Sequence, residues 1–349
     1  MGGAETMCEN LTNNLIKLGV DVVVVSLYDR HTPISERLEK NGVKIIYLGK
    51  KSGLDLSMVS KLKRVMKEEK PDVVHSHNNT MQYAVLAAML AKIKCRVHTV
   101  HSVAQQELGK LAKKVAKHYY RRHGLVPVAL SDNIKNTVMD VYGLPEEKIP
   151  VVLNGVDFSR CDAKKDYEAA EPFTILHIGR FADVKNHSML LSAFKNFHEK
   201  IPASRLCLIG DGERRADCER FVEENGLSEC VEFLGIQSNV YGFLHKADVF
   251  TLPSKYEGIP MTLIEAMGTG VPIVATNVGG IPDMLVNEES ALLIDVDEKQ
   301  LEAAFIRLHG DSGLRENLGK QAILASERFS AEEMARRYIE VYSSCKEKK

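Results

Sequence analysis

DVFTLPSKYEGIPMTLIEAMGTGVPIVATN, residues 248–277, holds a strand, a loop, a helix and a second strand. The apolar run DVFTLPS ends at Ser254 and the loop 255–258 follows. Pro260 fits the first helical position, where a missing N–H costs nothing. The helical pattern PMTLIEAMG then runs to Gly268, and Gly270 and Pro272 end it and restart a strand, PIVATN. Two apolar strands joined through a helix read as a parallel βαβ unit.

The same alternation extends both ways. Strands are expected at 20–28, 43–49, 72–77, 95–102, 125–131 and 149–156, then at 173–180, 204–211, 230–235, 248–254, 272–277 and 291–296. Most are continuous apolar runs, as a parallel sheet covered on both faces requires. Helical patterns such as 81–93 and 187–201 fill the gaps. The fold class is therefore α/β, with two doubly wound Rossmann-like domains facing a central cleft. The domains are expected at 1–157 and 173–329, with a polar, aperiodic linker at 158–172 and a C-terminal helix at 330–349. Open α/β sheets bind ligands at the carboxyl ends of their strands, which is where chemistry is sought.

Composition narrows the partners. Lys and Arg total 46 against 47 Asp and Glu, so no net field draws nucleic acid. No apolar run is long enough to span a bilayer, and no secretory leader pattern opens the chain. Seven scattered cysteines without a C-x-x-C pair read as reduced cytosolic thiols. Residues 1–6 match the N-myristoylation pattern, although the glycines have a better use as a loop.

Dinucleotide, P-loop and nucleophile-elbow motifs are missing from the sequence. His75 and His77 at a strand end read as cleft-lining or structural, and Asp297 as a helix N-cap; no metal site is expected. In the block 254–285, Glu257 stands just before a helix N-terminus and Glu265 lies inside an otherwise apolar helix. The free N–H groups around Met261 and Thr262 make an anion site. A carboxylate beside such a site suits neutral sugar hydroxyls, and a buried Glu265 needs a partner such as a diol. Arg180 ends a strand and Lys185 opens the next helix, so the two cations suit a diphosphate. The GDG at 210–212 is left open between a phosphate contact and a plain turn.

These residues resemble the retaining glycosyltransferases of the GT-B fold, in particular glycosyltransferase family four. The hallmark is a Glu, seven residues, then a second Glu, here Glu257 and Glu265. Gly179-Arg180 with Lys185-Asn186, the run 154–157, Gly279-Gly280 and His101 stand in the family's order too. The resemblance implies transfer of a sugar from a nucleotide-diphosphate sugar, a UDP-sugar being expected, without metal or cofactor. Glu265 would bind the ribose hydroxyls. Glu257, with the backbone of Gly258, Ile259, Pro260 and Met261, would hold the donor sugar, and Thr262 completes that helix start. Arg180 and Lys185 would neutralise the departing diphosphate, His101 would position the sugar, and the base would meet main chain near Gly235 and Ile236. Two alternatives remain: a sugar-nucleotide epimerase or hydrolase on this architecture, and a fold-retaining protein without catalysis.

In this family a strand precedes the Gly-Gly loop, so Gly2 and Gly3 are expected beside the donor. Here no strand comes before them, and two strand edges should stand unpaired. The basic helix at 107–124 offers either a peripheral contact with an anionic membrane or a solvated face. The expected acceptor is a glycan or lipid-linked sugar of bacterial surface-polysaccharide or glycolipid synthesis, which suits a cytoplasmic enzyme at the inner membrane face.

Overall fold

The computed structural model describes residues 3–102, 104–107, 109–169 and 171–347. They divide into two compact units, Gly3–Gly155 with the C-terminal helix, and Val156–Ser330. Gly2 lies outside the described residues.

The first unit runs α1 (Gly3–Lys17), β1 (Val23–Ser26), α2 (Pro33–Lys40), β2 (Lys44–Tyr47), α3 (Ser57–Glu69) and β3 (Val73–His77). It continues with α4 (Met81–Leu90), β4 (Cys95–Val100), α5 (Ala104–Glu107), α6 (Lys110–Arg122), β5 (Leu125–Ala129) and α7 (Asp132–Tyr142). Its strands form two parallel sheets, β1-β2 and β3-β4-β5. Among the described residues no ladder joins β1 to β3. Side chains bridge that gap: Val25 and Ile46 from one sheet and Val74 from the other share a core with Met58, Leu62 and Tyr83.

The second unit carries β6 (Phe173–Ile178), α8 (His187–Lys200), β7 (Ser204–Ile209), α9 (Arg215–Glu224), β8 (Val231–Gly235) and α10 (Tyr241–Lys246). It continues with β9 (Val249–Leu252), α11 (Met261–Thr269), β10 (Ile273–Thr276), β11 (Leu292–Ile294), α12 (Glu298–Gly310) and α13 (Ser312–Ser326). Its one parallel sheet has the order β11-β10-β9-β6-β7-β8, the doubly wound pattern. The strand order reverses between β6 and β9, so the ligand crevice belongs at their carboxyl ends. Phe173, Phe194, Phe197 and Phe305 centre the core. Asp297 caps α12, accepting from the Gln300 N–H at 2.9 Å.

Two expectations are corrected. The run 149–156 is no strand, only two isolated bridges, from Val151 to Ala129 and from Val156 to Ser330. Pro150 has no N–H to extend the ladder, although its carbonyl accepts from Ala129. Residues 158–172 are no free linker but part of the second unit. The Tyr167 ring is buried there with its hydroxyl donating to the Gly270 carbonyl at 3.0 Å, and Phe158 packs so closely on Gly268 that a Cβ there would clash. The C-terminal helix α14 (Ala331–Glu347) belongs to the first unit, packed on α1 and β4. Among the described residues no helix is long and apolar enough to cross a membrane.

Candidate active site

In the second unit, the loops after β6, β9 and β10 are tied together at the switch point. Asn186, in the left-handed region at φ 56°, reaches the Pro253 carbonyl through its side-chain amide. The Lys255 N–H donates to the Val184 carbonyl at 2.8 Å, and the Gly280 N–H to the Glu257 carbonyl at 3.1 Å. Gly279 lies at φ +57°, and a Cβ there would stand 1.8 Å from the Glu257 carbonyl oxygen. Only glycine lets the third loop approach this closely. Gly210 plays a similar part for the β6 loop, where a Cβ would meet the Gly179 oxygen at 2.0 Å. The GDG turn is thus a spacing device between neighbouring strand ends.

These ties hold an ion pair. Lys185 Nζ lies 2.6 Å from Glu257 Oε1, with side chains 17% and 10% exposed. The buried Ser254 hydroxyl donates to the same oxygen at 2.5 Å. Both contacts fall on Oε1, and no described residue hydrogen-bonds Oε2. Arg180, in the same loop after β6, is 69% exposed and lies 3.7 Å from Glu213. Sequence reading placed Lys185 and Glu257 in separate roles, one for phosphate and one for sugar; folding makes them partners across 72 residues. Ser254 was missed, its only signal being its place at the end of an apolar strand.

Pro260 is the residue before α11 rather than its first, with φ −73° and ψ 125°. The N–H groups of Met261 and Thr262 open the helix and have no intrahelical acceptor, while Leu263 and Ile264 turn back to the Pro260 carbonyl. Gly258 and Thr262 are half-buried, and Ile259, Pro260 and Met261 are buried. Glu265 is buried in α11 and accepts from the Tyr241 hydroxyl at 3.4 Å. Arg160 covers the Tyr241 ring at 4.9 Å. Burial, and then the charge of Glu265, push the Cys161 thiol up to about 12. Gly235 ends β8 at φ +64° with its carbonyl accepting from the Gly210 N–H, and Ile236 beyond it is 54% exposed. Behind Lys185, His187 stacks on Phe181 at 4.1 Å. Burial, then the Lys185 charge, push His187 down to about 4.

In the first unit, His101 follows β4 and His77 ends β3. Their ring nitrogens Nε2 and Nδ1 are 3.0 Å apart. His75 joins Thr99 Oγ1 and the Tyr342 hydroxyl, each at 2.8 Å, and Tyr338 reaches the same Thr99 at 2.7 Å. On the other face of β3, Ser76 meets His98 at 3.0 Å. Burial holds His101 well below the usual histidine range, with the His77 charge next, so it is neutral at pH 7. The tyrosines come from α14, a contribution that nothing in the local sequence announces. Gly3 opens α1 and is exposed. Among the described residues no group of three or more His, Cys, Asp or Glu is placed to hold a metal.

Comparison with known proteins bears on the family and the fold. Residues 1–160 match Glycosyltransferase Family 4, and residues 160–325 match Glycosyl transferases group 1. The chain is 30% identical over 306 residues to N-acetyl-alpha-D-glucosaminyl L-malate synthase of Bacillus anthracis, covering 82% of this chain and 78% of that protein. It is 29% identical over 261 residues to the Escherichia coli UDP-Gal:alpha-D-GlcNAc-diphosphoundecaprenol alpha-1,3-galactosyltransferase, covering 70% and 67%. The structure of HepE from Anabaena in complex with UDP and glucose has the same fold, with a TM-score of 0.86 at 19% identity, covering 98% of this chain and 96% of that one.

Proposed function

The chain belongs to glycosyltransferase family four, with the GT-B fold, and from that premise we propose that it moves a hexose from a UDP-sugar to a lipid-linked or glycan acceptor with retention of anomeric configuration. The observation that carries the reading is the Lys185–Glu257–Ser254 cluster at the carboxyl ends of β6 and β9.

Lys185 and Ser254 fix the Glu257 carboxylate through Oε1, and Oε2 accepts from a hydroxyl of the donor sugar. The Met261 and Thr262 N–H groups and the Arg180 fork take the diphosphate, with Lys185 beside it. As the sugar–phosphate bond breaks, negative charge grows on the leaving diphosphate. Cations and a helix N-terminus already in place stabilise that charge without reorganising, and no metal ion is called on. Glu265 accepts from the ribose hydroxyls, with Tyr241 steadying it. His101, neutral and oriented by His77, positions the sugar. Retention proceeds on the front face, with the leaving phosphate taking the acceptor's proton.

The lipid-linked acceptor is supported by the diphosphoundecaprenol substrate in the name of the Escherichia coli relative, and by the cationic face of α6, which suits an anionic membrane surface. Thermal melts with UDP, GDP and ADP, each with and without magnesium, test the donor site. A rise with UDP alone, equal in chelator, is expected. Donor consumption without acceptor, at the rate seen with it, would replace transfer by hydrolysis or epimerisation.

A further inference from the structure

α6 carries Lys114, Lys117, His118, Arg121 and Arg122. Positions 114, 117, 118 and 121 are spaced as one face of a helix. Opposite this face the chain leaves α7 through Gly143, at φ 61°, and passes Pro145 to Lys148. Between them is a concavity of about 610 Å³ lined by those five side chains and Lys148. That volume lies within the about 300–1,000 Å³ usual for small-molecule sites.

Like charges three and four apart oppose helix formation, and this face repeats them. The cations are not neutralised from within: among the described residues Lys114, Lys117, Arg121, Arg122 and Lys148 have no carboxylate partner. The neighbouring Glu146 is engaged by Lys135 at 2.6 Å. The opposite face of α6 is anchored, with Ala116 and Tyr120 buried and the Tyr120 ring edge-on to Tyr142 at 5.0 Å. The basic face is therefore held in place and left to an anion from outside the chain. A concave site built of two guanidinium forks and three ammonium groups suits the tetrahedral, multiply charged phosphoryl group.

Topology sets this site apart from His101. In a parallel sheet each helix runs back against its neighbouring strand. The end of α6 leads into the amino end of β5, and α7 leaves the carboxyl end of β5 and finishes at the amino end. The concavity therefore lies toward the amino edge of β3-β4-β5, whereas His77 and His101 lie at the carboxyl edge.

We propose that this concavity is a phosphoryl-binding site, taking the phosphate or diphosphate of a lipid headgroup or of a free phosphorylated compound. The proposal deepens the membrane reading above. Pyrophosphate is titrated into the full chain by calorimetry at low salt with UDP saturating, so that the donor site is filled. Saturable binding is expected, weakened tenfold or more in Lys117→Ala/Arg121→Ala and less than twofold in the charge-matched control Lys92→Ala/Lys94→Ala. All four positions are exposed or half-buried; 117 and 121 lie within α6, where alanine favours helix, and 92 and 94 lie in the turn between α4 and β4, so the melt should hold. Flotation with phosphatidylcholine vesicles, with and without phosphatidic acid, identifies the source. Capture by phosphatidic acid that Lys117→Ala/Arg121→Ala abolishes assigns a lipid headgroup; pyrophosphate binding without capture assigns a free compound. No saturable binding, or equal weakening in both variants, overturns the site in favour of diffuse charge attraction. The UDP-induced rise in melting temperature is scored separately, so failure of the donor reading is distinguishable.

Discussion

His187 lies behind the ion pair of the second unit, stacked flat on Phe181, with neither ring nitrogen hydrogen-bonded in the structure. Burial first, and Lys185 second, lower its pKa from 6.5 to about 4. The folded state therefore binds fewer protons than the unfolded state between pH 6.5 and 4, and stability falls as pH falls through that window. From pH 7 to pH 5 the loss from this one group is about 1.8 kcal/mol. Phenylalanine keeps the stack and cannot titrate. The free energy of unfolding of His187→Phe should thus drop by about 1.8 kcal/mol less than that of the parent over the same interval. At pH 7 the variant should be at least as stable, since a buried polar atom without a partner costs about 1–3 kcal/mol. Urea unfolding followed by far-ultraviolet circular dichroism at both pH values reads the difference. Parallel losses in parent and variant would mean that His187 is solvated or protonated in the folded chain rather than held neutral by burial against Phe181.

Other outcomes follow from the same geometry. Lys185→Met leaves the Glu257 carboxylate buried with Ser254 alone and should cost about 3 kcal/mol; adding Glu257→Gln should restore most of it in urea melts, and an additive double variant would refute the pairing. Gly279→Ala places a Cβ on the Glu257 carbonyl at a left-handed φ, so a loss of about 2 kcal/mol and weaker UDP binding are expected, whereas an unchanged melt would contradict the close approach. Glu265→Ala should weaken UDP binding by about 1–3 kcal/mol, read by calorimetry; unaltered affinity would remove the ribose assignment. His77→Phe removes the Nδ1 contact to the His101 ring, so kcat should fall on the order of tenfold to a hundredfold with donor affinity retained; a fall in affinity instead would make His77 part of donor binding.

Much of this fold was legible because parallel strands are covered on both faces and announce themselves as unbroken apolar runs. The run 149–156 shows the limit, since apolar composition does not reveal that Pro150 stops a ladder. The segment 158–172 shows another. Its average polarity hides two anchors, Phe158 and Tyr167, and burial is decided by anchors. At the site, Glu257, Arg180 and Lys185 could be singled out from their place at a strand or helix end, and Glu265 as a lone carboxylate inside an apolar helix. Their mutual contacts were not. The Lys185–Glu257 pair joins loops after strands that are neighbours in the sheet but far apart in sequence. The support of His75 by Tyr342, likewise, depends on α14 returning to the first unit.

The interruption between β1 and β3 bears on how the first unit yields. A hydrogen-bonded ladder transmits strain from strand to strand, because each bond is directional and fails together with its neighbours. Across this seam no described backbone ladder runs; the packing of Val25 and Ile46 against α3, α4 and Val74 carries load with side-chain ties such as Lys44 to Glu69 and Lys61 to the Leu48 carbonyl, and dispersion contacts slide where hydrogen bonds snap. The segment α2 with β1 and β2 should therefore open ahead of β3-β4-β5, once its ties from Arg37 to Glu9 and Lys44 to Glu69 give way. Amide exchange should show the seam directly: Val24 and Ile45, paired in β1-β2, lose protection ahead of Val97 and His98 in β4, which is bonded on both edges. The first unit is then a hinged assembly in which the buried histidines ride on the stiffer part.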